Sequence, residues 1–128
     1  MPKIEHLAIY CRNLENMRGF YCKYFGGISG EKYINEAKGF ESYFLSFEDR
    51  CRLELMSKTS VNIESPADEY YGFIHIAISV GSKNKVDEQT QLLAKDGFSV
   101  IGQPRTTGDG YYESVILDPE NNRIEITI

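Results

Sequence analysis

Hydrophobic and polar positions alternate with period 2 from Lys3 to Tyr10. This predicts a strand with Leu7 and Ile9 on one face and Ile4, His6, Ala8 and Tyr10 on the other. Beyond Asn13 the spacing becomes helical, with Leu14, Met17, Phe20, Tyr21 and Tyr24 recurring on one side. Asn13 can cap such a helix, and Gly26-Gly27 can end it. A strand is predicted around Ile28–Ile34, then a turn over Asn35–Gly39. Next comes a hairpin of Phe40–Phe47 and Cys51–Met56, joined by the polar turn Glu48-Asp49-Arg50. This half reads β-α-β-β-β.

Residues 57–71 are polar with little periodicity and read as a link. The second half then replays the order. Phe73–Val80 is a strand with Ile74, Ile76, Ile78 and Val80 on one face and His75, Ala77 and Ser79 on the other. Lys83–Lys95 is a helix with Val86, Leu92 and Leu93 turned inward, stopped by Gly97. Phe98–Gln103 is a strand, and Pro104–Gly110 is a glycine-rich loop. A second hairpin follows, Tyr111–Leu117 and Asn122–Ile128, turned by Asp118-Pro119-Glu120-Asn121.

The two halves share more than their element order. His6-Leu7-Ala8-Ile9 and Arg52-Leu53-Glu54-Leu55 match His75-Ile76-Ala77-Ile78 and Arg123-Ile124-Glu125-Ile126. From His to Glu the separation is 48 residues in the first half and 50 in the second. Phe40-Glu41-Ser42 lines up with Tyr112-Glu113-Ser114 at an offset of 72. An internal repeat of this length signals duplicated architecture. The expected fold is α+β: two tandem βαβββ modules forming a curved mixed sheet around a concave cleft, with the helices outside. Residues 1–128 then make a single domain, with module 1 over about 1–56, a linker at 57–71 and module 2 over about 72–128.

Composition narrows the function classes. A net charge of −5, with 14 basic residues that form no cluster, argues against nucleic-acid or anionic-membrane partners. No apolar run approaches the roughly 20 residues that span a bilayer. The segment Met1-Pro2-Lys3-Ile4-Glu5-His6 has no signal-peptide character. The 3 cysteines, Cys11, Cys22 and Cys51, have neither metal-like nor redox spacing. Free thiols in a reducing cytoplasm are therefore expected. Cys51 lies close to a candidate ligand, but an ordinary buried thiol is the better reading.

The chemistry lies in the repeat. Strand parity puts His6, Glu54, His75 and Glu125 on the faces opposite the aliphatic residues. One inward His on a strand is usually a hydrogen-bonded core residue, and one Glu between aliphatics usually faces water. Four of them in register across a repeat point to a metal site. Two imidazoles and two carboxylates suit a divalent first-row ion, with Ni, Co, Mn or Fe favoured and Zn also compatible. Their −2 charge balances the ion. Four protein ligands leave two octahedral positions for water or substrate, and such a metal stabilises an enediolate formed beside a carbonyl. A Glu that leaves the metal can take the proton. Arg52 and Arg123 share the ligand face, as anion-binding groups or as surface ion pairs. Tyr111 and Tyr112 suit a pocket wall or hairpin packing equally.

These motifs resemble the vicinal oxygen chelate superfamily, which includes glyoxalase I, methylmalonyl-CoA epimerase, extradiol dioxygenases, and fosfomycin- and bleomycin-resistance proteins. The resemblance spans the chain and is carried by Ile4-Glu5-His6, Arg52-Leu53-Glu54-Leu55, Gly72-Phe73-Ile74-His75-Ile76-Ala77 and Asp118-Pro119 with Arg123-Ile124-Glu125-Ile126. It is closest to bacterial glyoxalase I, and it implies His6, Glu54, His75 and Glu125 as metal ligands, Glu125 as the catalytic base and Glu54 as its partner. Tyr10 and Lys58 stand where glyoxalase I usually has the Arg and Asn that hold glutathione. If those anchors are lost, Arg52, Arg105 or Arg123 would have to hold the thiol portion. The implied activity is isomerisation of a 2-oxoaldehyde–thiol hemithioacetal to a 2-hydroxyacyl thioester by a cytoplasmic homodimer. Alternatives are an acyl-CoA thioester epimerase and a non-catalytic protein that sequesters a small molecule.

Overall fold

The computed structural model describes residues 1–66 and 68–128. It divides into two compact units, 1–65 and 66–128. The predicted link at 57–71 therefore contains one residue, Ala67, outside the described set.

In the first unit β1 (His6–Tyr10) leads to α1 (Leu14–Phe25). Asn13 caps the helix by accepting from the Asn16 amide at 2.9 Å, and Gly26 ends it in the left-handed conformation at φ 69°. Two short segments, β2 (Ile28–Ser29) and β3 (Tyr33–Asn35), precede a single 3-10 turn at Glu36–Lys38. The hairpin of β4 (Phe40–Ser46) and β5 (Arg52–Lys58) completes the unit. The sheet order is β1-β5-β4-β2, with β3 also on β4; β1 and β5 are parallel and the other pairs antiparallel.

The single strand expected around Ile28–Ile34 is thus broken. Ser29 pairs with Leu45 and Tyr33 with Ser42, so four steps on the edge oppose three on β4. The extra residue is a bulge, and it falls in the segment containing Gly30, whose amide still donates to Phe44 O at 2.9 Å.

The second unit repeats the plan with β6 (His75–Ser79), α2 (Lys83–Lys95), β7 (Val100–Thr106), β8 (Tyr112–Leu117) and β9 (Arg123–Thr127). Its order is β6-β9-β8-β7, with β6 and β9 parallel. Strand β7 runs through Pro104, which was expected to open a loop. It is an edge strand, where a missing N–H costs no ladder bond, and its register shifts twice between Val100 and Arg105. The loop proper is closed by the Thr107 amide on Tyr111 O at 2.7 Å.

Each helix packs on one face of its own sheet. Leu14, Met17, Phe20 and Tyr21 of α1 are buried, as are Tyr43, Leu45, Leu53 and Leu55 of β4 and β5. Against α2 the buried set is Val86, Thr90 and Leu93 with Ser114, Ile116, Ile124 and Ile126. Leu92, expected inward, is 44% exposed. Val86, Thr90 and Leu93 define a stripe at i, i+4 and i+7, and Leu92 falls about 100° off it. Thr90 completes the buried stripe. Its hydroxyl donates to Val86 O at 2.6 Å and accepts from Ser114 Oγ at 2.7 Å, so both buried hydroxyls are satisfied.

The two units match the α+β arrangement of paired βαβββ modules. One alignment needs correction. Ser42 pairs with Met56, and Glu113 pairs with Thr127. Met56 and Thr127 each lie two residues after their glutamate, so Ser42 is the counterpart of Glu113. The offset in this strand is therefore 71, the same as in the closing motif.

Candidate functional site

The parallel ladders position the candidate ligands. His6 pairs with Arg52 and Ala8 with Glu54; in the second unit His75 pairs with Arg123 and Ala77 with Glu125. The histidine opens each first strand, and the glutamate lies at the middle of the parallel partner, two steps along on the same face. Ala8 and Ala77, opposite the glutamates, are short and exposed. The other sheet face carries the aliphatics that the helix covers, so each His–Glu pair lies on the face turned away from its helix.

Within each unit the pair comes together. His6 Nε2 lies 3.7 Å from Glu54 Oε1, and His75 Nε2 lies 3.5 Å from Glu125 Oε2. Both separations are too long for a good hydrogen bond. Bonds of about 2.0–2.2 Å from a nitrogen and an oxygen to one ion place the two donors roughly 3.0–3.5 Å apart. The side chains are partly exposed, 40% and 16% in the first pair and 38% and 19% in the second. The His75–Glu125 separation falls at the top of that donor–donor range, and the His6–Glu54 separation lies just beyond it. Among the described residues, no group of three or more His, Cys, Asp or Glu side chains forms a ready-made cage.

The surroundings of the two pairs differ. In the first unit Glu5 accepts from His6 Nδ1 through Oε2 and from the Arg52 guanidinium through Oε1. These two bonds, the His6 bond first, hold the Glu5 carboxyl below the usual carboxylate range. Phe44 stands under the cluster: the His6 ring meets it edge-on at 5.4 Å, and the Arg52 guanidinium stacks on it at 4.2 Å. In the second unit Glu113 lies beside Glu125. Burial, then the hydrogen bond and the charge of Glu125, push Glu113 up to about 7, while Arg105 pulls the other way.

The remaining candidates are more dispersed. Arg52 forms an ion pair with Glu5. Arg123 lies across from His75, and Arg105 pairs with Glu113 from β7. Tyr10 ends β1 at 48% exposure, and Lys58 ends β5 in register with Phe40. Tyr112 turns to the helix side, where its hydroxyl donates to Asp87 of α2, and does not share the ligand face. Tyr111 is exposed in the preceding loop. All three cysteines are free thiols, Cys11 buried and Cys22 and Cys51 half-buried.

Sequence reading missed Glu5 and Glu113. The hairpin register could have found Glu113, because Leu117 opposite Arg123 puts residues 113, 115, 123, 125 and 127 on one face. Glu5 carries no such signal, since it precedes the strand and its partners depend on side-chain rotation.

Two βαβββ units, each presenting a His–Glu pair from its parallel strands on the helix-free face, define a class of protein built from two such modules. Residues 3–126 match the family model described as Glyoxalase/Bleomycin resistance protein/Dioxygenase superfamily, and the chain belongs to that superfamily. A curated relative, the uncharacterized protein YqjT of Bacillus subtilis (strain 168), is 26% identical over 96% of both chains. A possible glyoxalase from Bacillus cereus superposes with a TM-score of 0.74 at 26% identity, covering 98% of each chain. A V278E mutant of glyoxalase I from Zea mays gives 0.77 at 20% identity, with 98% of this chain covering 44% of that one. The superfamily includes enzymes, commonly binds divalent metals, and is typically dimeric with small-molecule substrates. Among the described residues no helix is long and apolar enough to cross a membrane.

Proposed function

We propose that the protein is a metal-dependent, glyoxalase I-like isomerase acting on 2-oxoaldehyde–thiol hemithioacetals. The observation that carries this reading is the repeated His–Glu pair, 3.7 Å apart in one module and 3.5 Å in the other, on the face free of the helix. Two such pairs, His6 with Glu54 and His75 with Glu125, would hold one divalent ion with four ligands, whether the two modules belong to one chain or to two. A homodimer is the proposed assembly. When bound, the ion supplies Lewis-acid stabilisation of the negative charge that develops on the substrate oxygens.

The chain's own residues perform the proton transfer. Glu125 takes the proton from the carbon that bears the hydroxyl and the sulfur. The C–H electron pair becomes the C=C bond of an enediolate, and the carbonyl oxygen takes the charge. Return of that proton to the former carbonyl carbon, with the hydroxyl proton of the sulfur-bearing carbon passing to the neighbouring oxygen, gives the 2-hydroxyacyl thioester and leaves Glu125 ionised. The reaction is an internal redox rearrangement, so no oxidant or reductant is consumed. Glu54 is the partner carboxylate on the other module. Arg52, Arg105 and Arg123 are the candidates for an anionic part of the substrate.

Tyr10 and Lys58 replace the usual glutathione anchors, so the glutathione hemithioacetal of methylglyoxal should be a poor substrate. Two lost polar contacts worth roughly 1.5–3 kcal/mol each lower kcat/KM by at least ~10²-fold. The test is turnover by metal-loaded protein on hemithioacetals of several low-molecular-weight thiols, with acyl-CoA thioesters in parallel. Turnover of one hemithioacetal supports the proposal. Exchange of the α-proton of an acyl-CoA with no hemithioacetal activity indicates the epimerase alternative. Tight binding without turnover of either class indicates a sequestering protein.

A further inference from the structure

We propose that Glu5 is a positioning residue that fixes the tautomer of His6 and thereby presents its Nε2 lone pair for metal ligation. The second half of this statement rests on the metal reading above; the first half does not.

The argument starts from donors and acceptors. A neutral imidazole carries one N–H, and its other nitrogen is an acceptor. His6 Nδ1 faces Glu5 Oε2, while His6 Nε2 faces Glu54. Both partners are carboxylates and only accept, but Glu54 at 3.7 Å is too far for a hydrogen bond, so the single proton of a neutral ring resides on Nδ1 and leaves the lone pair on Nε2. The other Glu5 oxygen accepts from Arg52, whose guanidinium carbon lies over the Phe44 ring at 4.2 Å from its centre. Arg52 therefore prevents Glu5 from turning away, and the T-shaped contact with Phe44 limits rotation of the His6 ring. A carboxylate behind a ligating imidazole fixes its orientation and raises its basicity, and loss of such a partner typically weakens metal binding 10–100-fold.

The repeat contains its own control. Ile74 occupies the place before His75 that Glu5 occupies before His6. No carboxylate reaches His75 from that position, so a change at Glu5 should alter one histidine of the two.

The variants are Glu5→Ala and Glu5→Gln. The backbone bond from the Arg52 amide to Glu5 O, 3.0 Å, is independent of the side chain and should survive in both. Ring-nitrogen NMR on metal-free protein, titrated until the ring signals stop moving at high pH, reads the tautomer of the neutral ring directly. In the wild type His6 should carry its proton on Nδ1. In Glu5→Ala it should move largely to Nε2, with the His75 signals unchanged. Glu5→Gln offers one acceptor oxygen to two donors and should lie between them. Titration with Co²⁺ or Zn²⁺ should show a 10–100-fold weaker Kd for Glu5→Ala. An unchanged His6 tautomer in Glu5→Ala overturns the proposal, as does a shifted tautomer with an unchanged Kd. If the wild type takes up neither ion while Glu5→Ala still shifts the tautomer, the metal reading fails and Glu5 stands as the tautomer anchor.

Discussion

Replacing Glu125 with Gln separates ligation from proton transfer. Glu125 sits at the middle of β9, its side chain 19% exposed and 3.5 Å from His75 Nε2. Gln has the same shape and keeps a ligating oxygen, but it cannot accept a proton at neutral pH. Its NH₂ can donate to Glu113, which now shares a hydrogen bond with Glu125 and is pushed up to about 7 partly by its charge. Stability should therefore stay within about 1 kcal/mol of wild type. A positioned acid–base group contributes typically 10²–10⁴-fold, or about 2.7–5.4 kcal/mol on the barrier. Rate and metal content would be measured together at saturating metal, with Glu54→Gln alongside. Glu125→Gln is expected to keep most of its metal and lose 10²–10⁴-fold in kcat; Glu54→Gln is expected to lose less. A fully metallated Glu125→Gln turning over at near wild-type rate would refute Glu125 as the base.

Two further predictions concern the scaffold. Leu93→Ala opens a cavity under α2 and should cost about 2–5 kcal/mol by denaturant unfolding, whereas Leu92→Ala should stay within about 0.5 kcal/mol. Equal costs would contradict the inward stripe of Val86, Thr90 and Leu93. Tyr43 donates to Glu15 at 2.6 Å, and this bond first, then Lys32, holds the Glu15 carboxyl below its ordinary value of 4.5. A lowered carboxylate pKa stabilises the fold above 4.5, and that contribution is lost as pH falls through the folded value. Tyr43→Phe should thus raise the Glu15 pKa in a carboxyl-carbon NMR titration, and the stability gap to wild type should narrow as pH drops below 4.5. No movement of Glu15 would contradict the assignment.

Much of this was legible because period and punctuation agreed. The helix bounds Lys83–Lys95, the Asn13 cap and the Gly26 stop follow from local chemistry that tertiary contacts did not override. Strand parity likewise put each His and Glu on the helix-free face, because both registers are set by buried aliphatics on the other side. The failures lie where a choice depended on a neighbour. The bulge at Ser29–Tyr33 and the extension of β7 through Pro104 are properties of edge strands, whose pairing only a partner defines. Leu92 is exposed because it falls about 100° off the buried stripe of Val86, Thr90 and Leu93, in which Thr90 bonds to Ser114, a polar contact that no hydrophobic pattern records. Matching Phe40-Glu41-Ser42 to Tyr112-Glu113-Ser114 followed residue identity; the ladders put Glu113 against Ser42 instead, so the acidic neighbour of Glu125 has no counterpart beside Glu54. Glu5 stood in plain view, but its two bonds depend on rotamers.

The central claim is that the repeated His–Glu pairs hold a metal. Elemental analysis of protein purified without chelator tests it most directly, with repeat analysis after stripping and reloading. One equivalent of a divalent ion per chain is expected, with Ni, Co, Mn or Fe ahead of Zn. It should fall sharply in His75→Ala and in His6→Ala. Less than about a tenth of an equivalent, with no rebinding of any of these five ions, would contradict the account.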